Sequence, residues 1–297
     1  MKILLSVFIL PYEIDDLEML VGRLKDCSYR LDGACQWTLD VTMCLSEDII
    51  NWRRSTLPKS YFLEKFQKIS TCTDWCDKKF NVSTDIKGVV GQRRRTLNLY
   101  SDVDAFVWAD ADIIFCDELL KYIQDSLFQA AEFGSMFVIS PELVRLWDST
   151  WDCLVNENFI NEPVGYQATN DPFRDCGVKG RVTLDFVNCR VPGQPKFKFG
   201  GGFFTTFSAP LLQRIGIPES FGHYGLEDTF IMWASEKLIQ ERGEKIYQHK
   251  MKNLVVCENY KYRNYNHLTN HLTIYNRKEE FRKMAEKNFK PELAKIT

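Results

Sequence analysis

The opening run Ile3-Leu4-Leu5-Ser6-Val7-Phe8-Ile9-Leu10, closed by Pro11, restricts the fold of this chain more than any other feature. Its apolar residues do not alternate with polar ones, so it reads as a strand covered on both faces. Pro11 ends it, having no N–H to give to a ladder. Asp15–Leu24 follows with Leu17, Leu20, Val21 and Leu24 at helical spacing, and Trp37–Leu45 reads as a second strand. A short helical stretch is expected near Glu47–Arg54 and a third strand around Phe66–Ser70. A helix is expected over Thr84–Tyr100, with Ser83 or Thr84 as N-cap. Ala105–Ala109 completes the series as a short buried strand. Strands and helices alternating in this way predict an α/β domain with a mainly parallel, doubly wound sheet.

Beyond that point the pattern loosens. Trp147–Gln194 carries Pro163, Gly165, Pro172, Gly177, Gly180, Pro192 and Gly193, and reads as loops and short elements walling a cleft. Trp147, Trp151, Phe159, Tyr166, Phe173 and Phe186 recur through it, which argues against a disordered linker. Lys196–Ser208 reads as a strand interrupted by three glycines, Leu226–Leu238 as a buried helix, Leu254–Cys257 as a strand and Arg277–Phe289 as a charged terminal helix. With 297 residues, 45% of them hydrophobic, the chain has material for one large core, and no repeat marks a second domain.

Charge and cysteine usage narrow the setting. A net charge of −2 gives no strong pull toward nucleic acid. No stretch approaches the roughly 20 apolar residues of a membrane span, and no small-residue cleavage site follows the opening run. The cysteines (Cys27, Cys35, Cys44, Cys72, Cys76, Cys116, Cys153, Cys176, Cys189 and Cys257) are irregularly spaced, several inside apolar runs. Cys72 and Cys76 have no second pair to complete a zinc site. Reduced thiols are expected, in a cytoplasmic protein that is either free or peripheral at a membrane. The sequon Asn81-Val82-Ser83 carries no weight in that setting.

The strongest chemical signal is Phe106-Val107-Trp108-Ala109-Asp110-Ala111-Asp112-Ile113-Ile114-Phe115. In extended chain, residues i and i+2 project to the same side, so Asp110 and Asp112 place two like charges together beside an apolar strand. A divalent cation neutralises such a pair, and oxygen-only ligation suits Mn²⁺ or Mg²⁺. The position also fits, because ligands of open α/β sheets bind outside the carboxyl ends of strands.

Four further features accompany it. Gly200-Gly201-Gly202 is costly in a strand and implies either a bulge or a ligand close to the backbone. Phe221-Gly222-His223-Tyr224-Gly225-Leu226-Glu227-Asp228 puts two carboxylates at the start of a helix. There they either complement the helix dipole or serve as a general base for a substrate hydroxyl. Tyr265-Asn266-His267-Leu268-Thr269-Asn270-His271 offers two histidines at i and i+4, either of which can add a nitrogen ligand to a carboxylate-bound metal. His223 and His249 read as structural or surface residues. Of Arg93-Arg94-Arg95, at least one guanidinium is expected to reach the cleft, where it can pair with a diphosphate.

Taken in order, these segments resemble the GT-A glycosyltransferases, in particular the inverting family 2 enzymes and the related galactosyl- and N-acetylgalactosaminyltransferases. Val7-Phe8-Ile9-Leu10-Pro11-Tyr12-Glu13 is similar to that group's first strand, and Asp110-Ala111-Asp112 to its D-x-D motif. Arg94, sixteen residues before Asp110, stands where family 2 members place an arginine. Gly201 and Gly202 followed by Gly225-Leu226-Glu227-Asp228 resemble the acceptor-side segment whose last acidic residue serves as base. His267 or His271 resembles the third metal ligand of many members. There are departures: Arg95 replaces a common asparagine, the usual double aspartate after the second strand is reduced to Asp40, and Ile113 follows the motif in place of an acidic residue.

The resemblance implies a single Rossmann-like GT-A domain over residues 1–297, with a mainly parallel twisted sheet flanked by helices and a smaller acceptor-side sheet. Residues 1–116 would form the nucleotide-sugar half and 117–297 the acceptor half. It implies a metal-dependent hexosyltransferase-like activity from a UDP-sugar, or a GDP-sugar, to a glycan, lipid-linked or protein acceptor, with inversion. Asp228 would be the base, with Glu227 as the alternative. Pro11, Tyr12, Asp40, Arg94, Asp110, Gly201 and Gly202 would bind donor, and Asp110, Asp112 and His267 or His271 would bind Mn²⁺ or Mg²⁺. Two other readings stand beside it: a sugar nucleotidyltransferase, for which Pro11-Tyr12-Glu13 lacks a glycine-rich phosphate loop, and a non-catalytic nucleotide- or carbohydrate-binding protein.

Overall fold

The opening run forms β1 (Lys2–Ile9), and its alternate side chains enter two different cores. Ile3, Leu5, Val7 and Ile9 join one apolar cluster, while Leu4 joins a second on the opposite face of the sheet. That two-sided burial is why the run lacks polar alternation.

The computed structural model describes residues 1–47, 57–145, 177–187, 197, 202–258 and 272–297. After β1 the strands are β2 (Gln36–Cys44), β3 (Asp77–Ser83), β4 (Ala105–Asp110), β5 (Ile113–Ile114), β6 (Met136–Arg145), β7 (Gly177–Phe186), β8 (Phe204–Ser208) and β9 (Ile246–Glu258). The helices are α1 (Ile14–Ser28), α2 (Lys59–Cys72), α3 (Val89–Leu99), α4 (Leu119–Phe133), α5 (Ala209–Ile215), α6 (Glu227–Arg242) and α7 (Leu272–Lys295).

One sheet runs in the order β3-β2-β1-β4-β8-β6-β9-β5, with β7 also paired to β9. Its first four strands are mutually parallel. β8 then pairs antiparallel with both β4 and β6, β9 is parallel to β6, and β5 and β7 run antiparallel to β9. The smaller sheet expected on one side is thus the β9, β7 and β5 end of a continuous sheet. Helices α1, α2 and α4 cover one face, and α3, α5, α6 and α7 cover the other. This is a mixed α/β, Rossmann-like domain.

Two expectations are corrected. Phe66–Ser70 is not a strand but part of α2, which buries Phe62, Phe66 and Ile69 at i, i+4 and i+7. The third strand is Asp77–Ser83, a sheet edge whose exposed Asp77, Lys78 and Lys79 conceal any apolar pattern. The helix expected from Thr84 begins at Val89. Ser83 Oγ accepts the backbone N–H groups of Asp85 and Ile86 and folds the approach into a turn. Of the helical stretch expected near Glu47–Arg54, all but Glu47 lies outside the described residues, as does most of Trp147–Gln194. No helix among the described residues is long and apolar enough to cross a membrane.

On β9, His249 is 1% exposed and lies among the rings of Phe133, Phe186 and Tyr247. Burial drives its pKa from 6.5 down to about 4, so the fold holds the neutral ring. In the window between those values the unfolded chain takes up a proton that the folded chain refuses. Stability is therefore full above the unfolded pKa and falls as pH drops, by about 1.4 kcal/mol per pH unit at the steepest. Urea midpoints taken near neutrality and near pH 5 should fall further for wild type than for His249→Phe. Equal falls would remove His249 as the cause.

Candidate active site

Three consecutive arginines on α3 splay toward three different elements, because each residue turns the helix by about 100°. Arg95 pairs with Asp40 on β2. Asp40 is fully buried and also accepts from Tyr100 (2.8 Å), Gln92 (2.9 Å) and Asn81 (3.4 Å). Asp40 is one of the residues expected at the donor. Asp40 sits mid-strand, four residues before the carboxyl end of β2 at Cys44, and its oxygens are already engaged in fastening α3 to the sheet.

Arg94, also expected at the donor diphosphate, turns instead to main-chain carbonyls. Its Nε donates to Ile217 O (3.1 Å), and its Nη2 donates to Pro218 O (2.6 Å) and Gly222 O (3.0 Å).

The guanidinium beside the acidic motif is that of Arg93. It lies over the Trp108 ring, 4.6 Å from the centroid, and is almost wholly buried. It pairs with Glu227, donates to Gly202 O (2.6 Å) and stands 3.6 Å from Asp110 Oδ1. One side chain thus joins the end of β4, the last of the three glycines and the start of α6. The sequence did carry a signal for this choice. Val90, Arg93 and Leu97 follow at i, i+3 and i+7, and the helix turns that stripe toward the core.

The chain enters α6 through two consecutive left-handed residues, Gly225 (φ +92°) and Leu226 (φ 66°). A leucine in that region costs about 1–3 kcal/mol, a strain that clusters where a fold must aim particular groups. What it aims is the acidic pair. Glu227 points inward to Arg93 and is 3% exposed. Burial pushes its carboxyl pKa up, against the opposing pull of Arg93. Asp228 is half-buried and lies against Gly202, where an added Cβ would come within 2.4 Å of its Oδ2. Its Oδ1 accepts from Thr229 N at 2.6 Å. A side chain at Gly202 would therefore push the Asp228 carboxylate aside.

Asp110 ends β4, its side chain 38% exposed, and its N–H donates to Phe203 O at 2.9 Å. Asp112 follows, half-buried. Among the described residues no group of three or more His, Cys, Asp or Glu side chains gathers to hold a metal. His267, His271 and Gly201 lie outside the described residues. Two carboxylates at a strand end are a donor set that fits Mn²⁺ or Mg²⁺. Such hard cations take one or two protein carboxylates and complete their shell with substrate phosphates and water.

Pro11 is buried and opens a 3-10 turn, Pro11–Glu13, directly after β1. Half-buried Tyr12 packs with Phe8 against Leu10 and Cys44, at the carboxyl ends of β1 and β2. Phe8 is in register with Asp110, so this surface adjoins the acidic motif. His223, expected to be structural or at the surface, is half-buried: its carbonyl accepts from Val90 N at 3.0 Å, and its ring faces Gly91.

No protein-family model and no curated protein matches the sequence. Solved structures do resemble the fold. One is TarS from S. aureus (TM-score 0.50, 14% identity, covering 87% of this chain and 37% of that one). Another is the mannosyltransferase PcManGT from Pyrobaculum calidifontis, solved in complex with GDP-Man and Mn²⁺ (TM-score 0.50, 12% identity, covering 99% of this chain and 73% of that one). The chain thus spans 37% of the length of TarS. At these identities the likeness is one of fold, and the fold is GT-A-like.

Proposed function

We propose that the chain is a metal-dependent glycosyltransferase that moves a sugar from a nucleotide-sugar donor to an acceptor hydroxyl with inversion at the anomeric carbon. The observation that carries this reading is the Arg93 junction, which gathers Asp110, Gly202 and Glu227, with Asp228 against Gly202, on a GT-A-like fold. Residues 1–116 would bind the donor, a UDP- or GDP-sugar, around Pro11, Tyr12 and Asp110. Residues 117–297 would hold the acceptor, whether a glycan, a lipid-linked sugar or a protein.

Asp110 and Asp112 would hold Mn²⁺ or Mg²⁺, with His267 or His271 as a further ligand. The ion supplies positive charge to offset what develops on the departing nucleoside diphosphate. Asp228 takes the proton from the acceptor hydroxyl as that oxygen attacks the face of the anomeric carbon opposite the diphosphate. Glu227 is buried and bound to Arg93, so it serves as the anchor of the pair and Asp228 as the base. Gly202 leaves room for donor sugar and base to approach. A product with retained anomeric configuration would overturn the assignment of Asp228.

Calorimetric titration of UDP and GDP, with and without Mn²⁺, tests the donor site. Metal-dependent binding of one nucleotide is expected for wild type and should be lost in Asp112→Ala. Binding of neither nucleotide, with or without metal, would sink the reading.

A further inference from the structure

Arg94 stands beside Arg93 and feels the charge of Glu227, but its hydrogen bonds run away from the junction. Its three acceptors, Ile217 O, Pro218 O and Gly222 O, all belong to the segment between α5 and α6 that ends at Leu226. The same segment is held to α3 by Val90 N donating to His223 O (3.0 Å). From the other side α7 grips it. Asn288 Nδ2 donates to Ser220 O (2.9 Å), Ser220 Oγ donates to Glu292 (2.6 Å), and the Phe289 and Phe221 rings stack with 7° between their planes.

The segment needs such restraint. Gly216, Gly222, Gly225 and Leu226 all have positive φ, and the regular structure between them is one 3-10 turn, Glu219–Phe221. Whatever holds it fixes the direction in which α6 begins, and therefore where Asp228 stands over Gly202. A planar guanidinium is well suited to hold it, because it presents several donors in a fixed fork and converging carbonyls can take several at once.

We infer that Arg94 is a positioning residue for Asp228, acting through residues 217–226, and is not a ligand of the donor diphosphate. This rests on the reading of Asp228 as base. Misplacing a reacting group by about 1 Å is enough to lower the rate by about a hundredfold.

The test compares wild type with Arg94→Lys, Arg94→Met and Asn288→Ala, the last loosening the same segment from α7. Turnover and donor KM are measured together with Mn²⁺-dependent nucleotide affinity and hydrogen exchange of amides 219–226. Expected is a kcat loss of about 10- to 100-fold in both Arg94 variants. Nucleotide affinity should stay within about twofold of wild type, exchange should be faster, and Asn288→Ala should show the same kcat-only pattern in milder form. Lysine keeps the charge but lacks the fork, so Arg94→Lys should not restore turnover. A tenfold loss of nucleotide affinity in Arg94→Met that Arg94→Lys recovers would overturn the inference and return Arg94 to the diphosphate. Faster exchange with unchanged kcat would also overturn it. A wild type without nucleotide binding or turnover would instead overturn the transferase reading on which it rests.

Discussion

Arg93→Met is expected to abolish turnover and to destabilise the fold by about 3–5 kcal/mol. The stability loss follows from burial. Glu227 is 3% exposed and Arg93 is its ion-pair partner, so removing the arginine leaves a carboxylate stranded in the interior. Breaking a buried pair by deleting one partner costs far more than the pair contributes, because the remaining charge keeps its desolvation penalty. Against a typical total stability of about 5–15 kcal/mol this is a large fraction. The activity loss has a separate origin, since Arg93 also holds Gly202 O and stands beside Asp110. A double variant separates the two effects. Arg93→Met combined with Glu227→Met replaces the pair by apolar groups of similar bulk, which should restore most of the denaturant midpoint while turnover stays absent. A single variant within about 1 kcal/mol of wild type would show that the pair is not buried as described.

Asp228→Asn should lower kcat by about 10²- to 10⁴-fold, the range for loss of a general base, and leave stability nearly unchanged. Magnitudes decide between the two roles open to this residue. As an acidic group in the first turn of α6 it contributes at most about 0.3–1 kcal/mol through the helix dipole. As base it accounts for about 3–5 kcal/mol of barrier. Because Asp228 is half-buried and Asn is isosteric, the variant should fold and still bind nucleotide. Gly202→Ala probes the same point from the facing strand end, where the new methyl group would displace Asp228 Oδ2. It should reproduce the kcat loss with nucleotide affinity retained. Turnover of Asp228→Asn within about tenfold of wild type would remove Asp228 as base.

Much of the scaffold was legible because it depends on short-range pattern. The run Ile3–Leu10, the spacing of Leu17, Leu20, Val21 and Leu24, and the apolar strand before Asp110 each mark an element of the parallel half. The acidic pair at a strand end and the acidic pair at a helix start were visible for the same reason. Where the period was masked, the reading failed. Phe66–Ser70 is too short a window to reveal the Phe62, Phe66, Ile69 stripe of α2, and the charged edge strand Asp77–Ser83 offers no stripe at all.

The sequence by itself determined that this chain builds a doubly covered α/β sheet and carries carboxylates at the ends of its elements, since side-chain periodicity and chain breakers act over a few residues. Only the tertiary structure decided that β8 returns antiparallel beside β4, that Asp40 is spent on Arg95, and that Arg93 rather than Arg94 meets the acidic motif. Those outcomes depend on partners such as Glu227, 134 residues from Arg93, and on which face of α3 turns inward. Contacts of that separation are chosen by packing the whole domain, where a buried charge must find a counterpart.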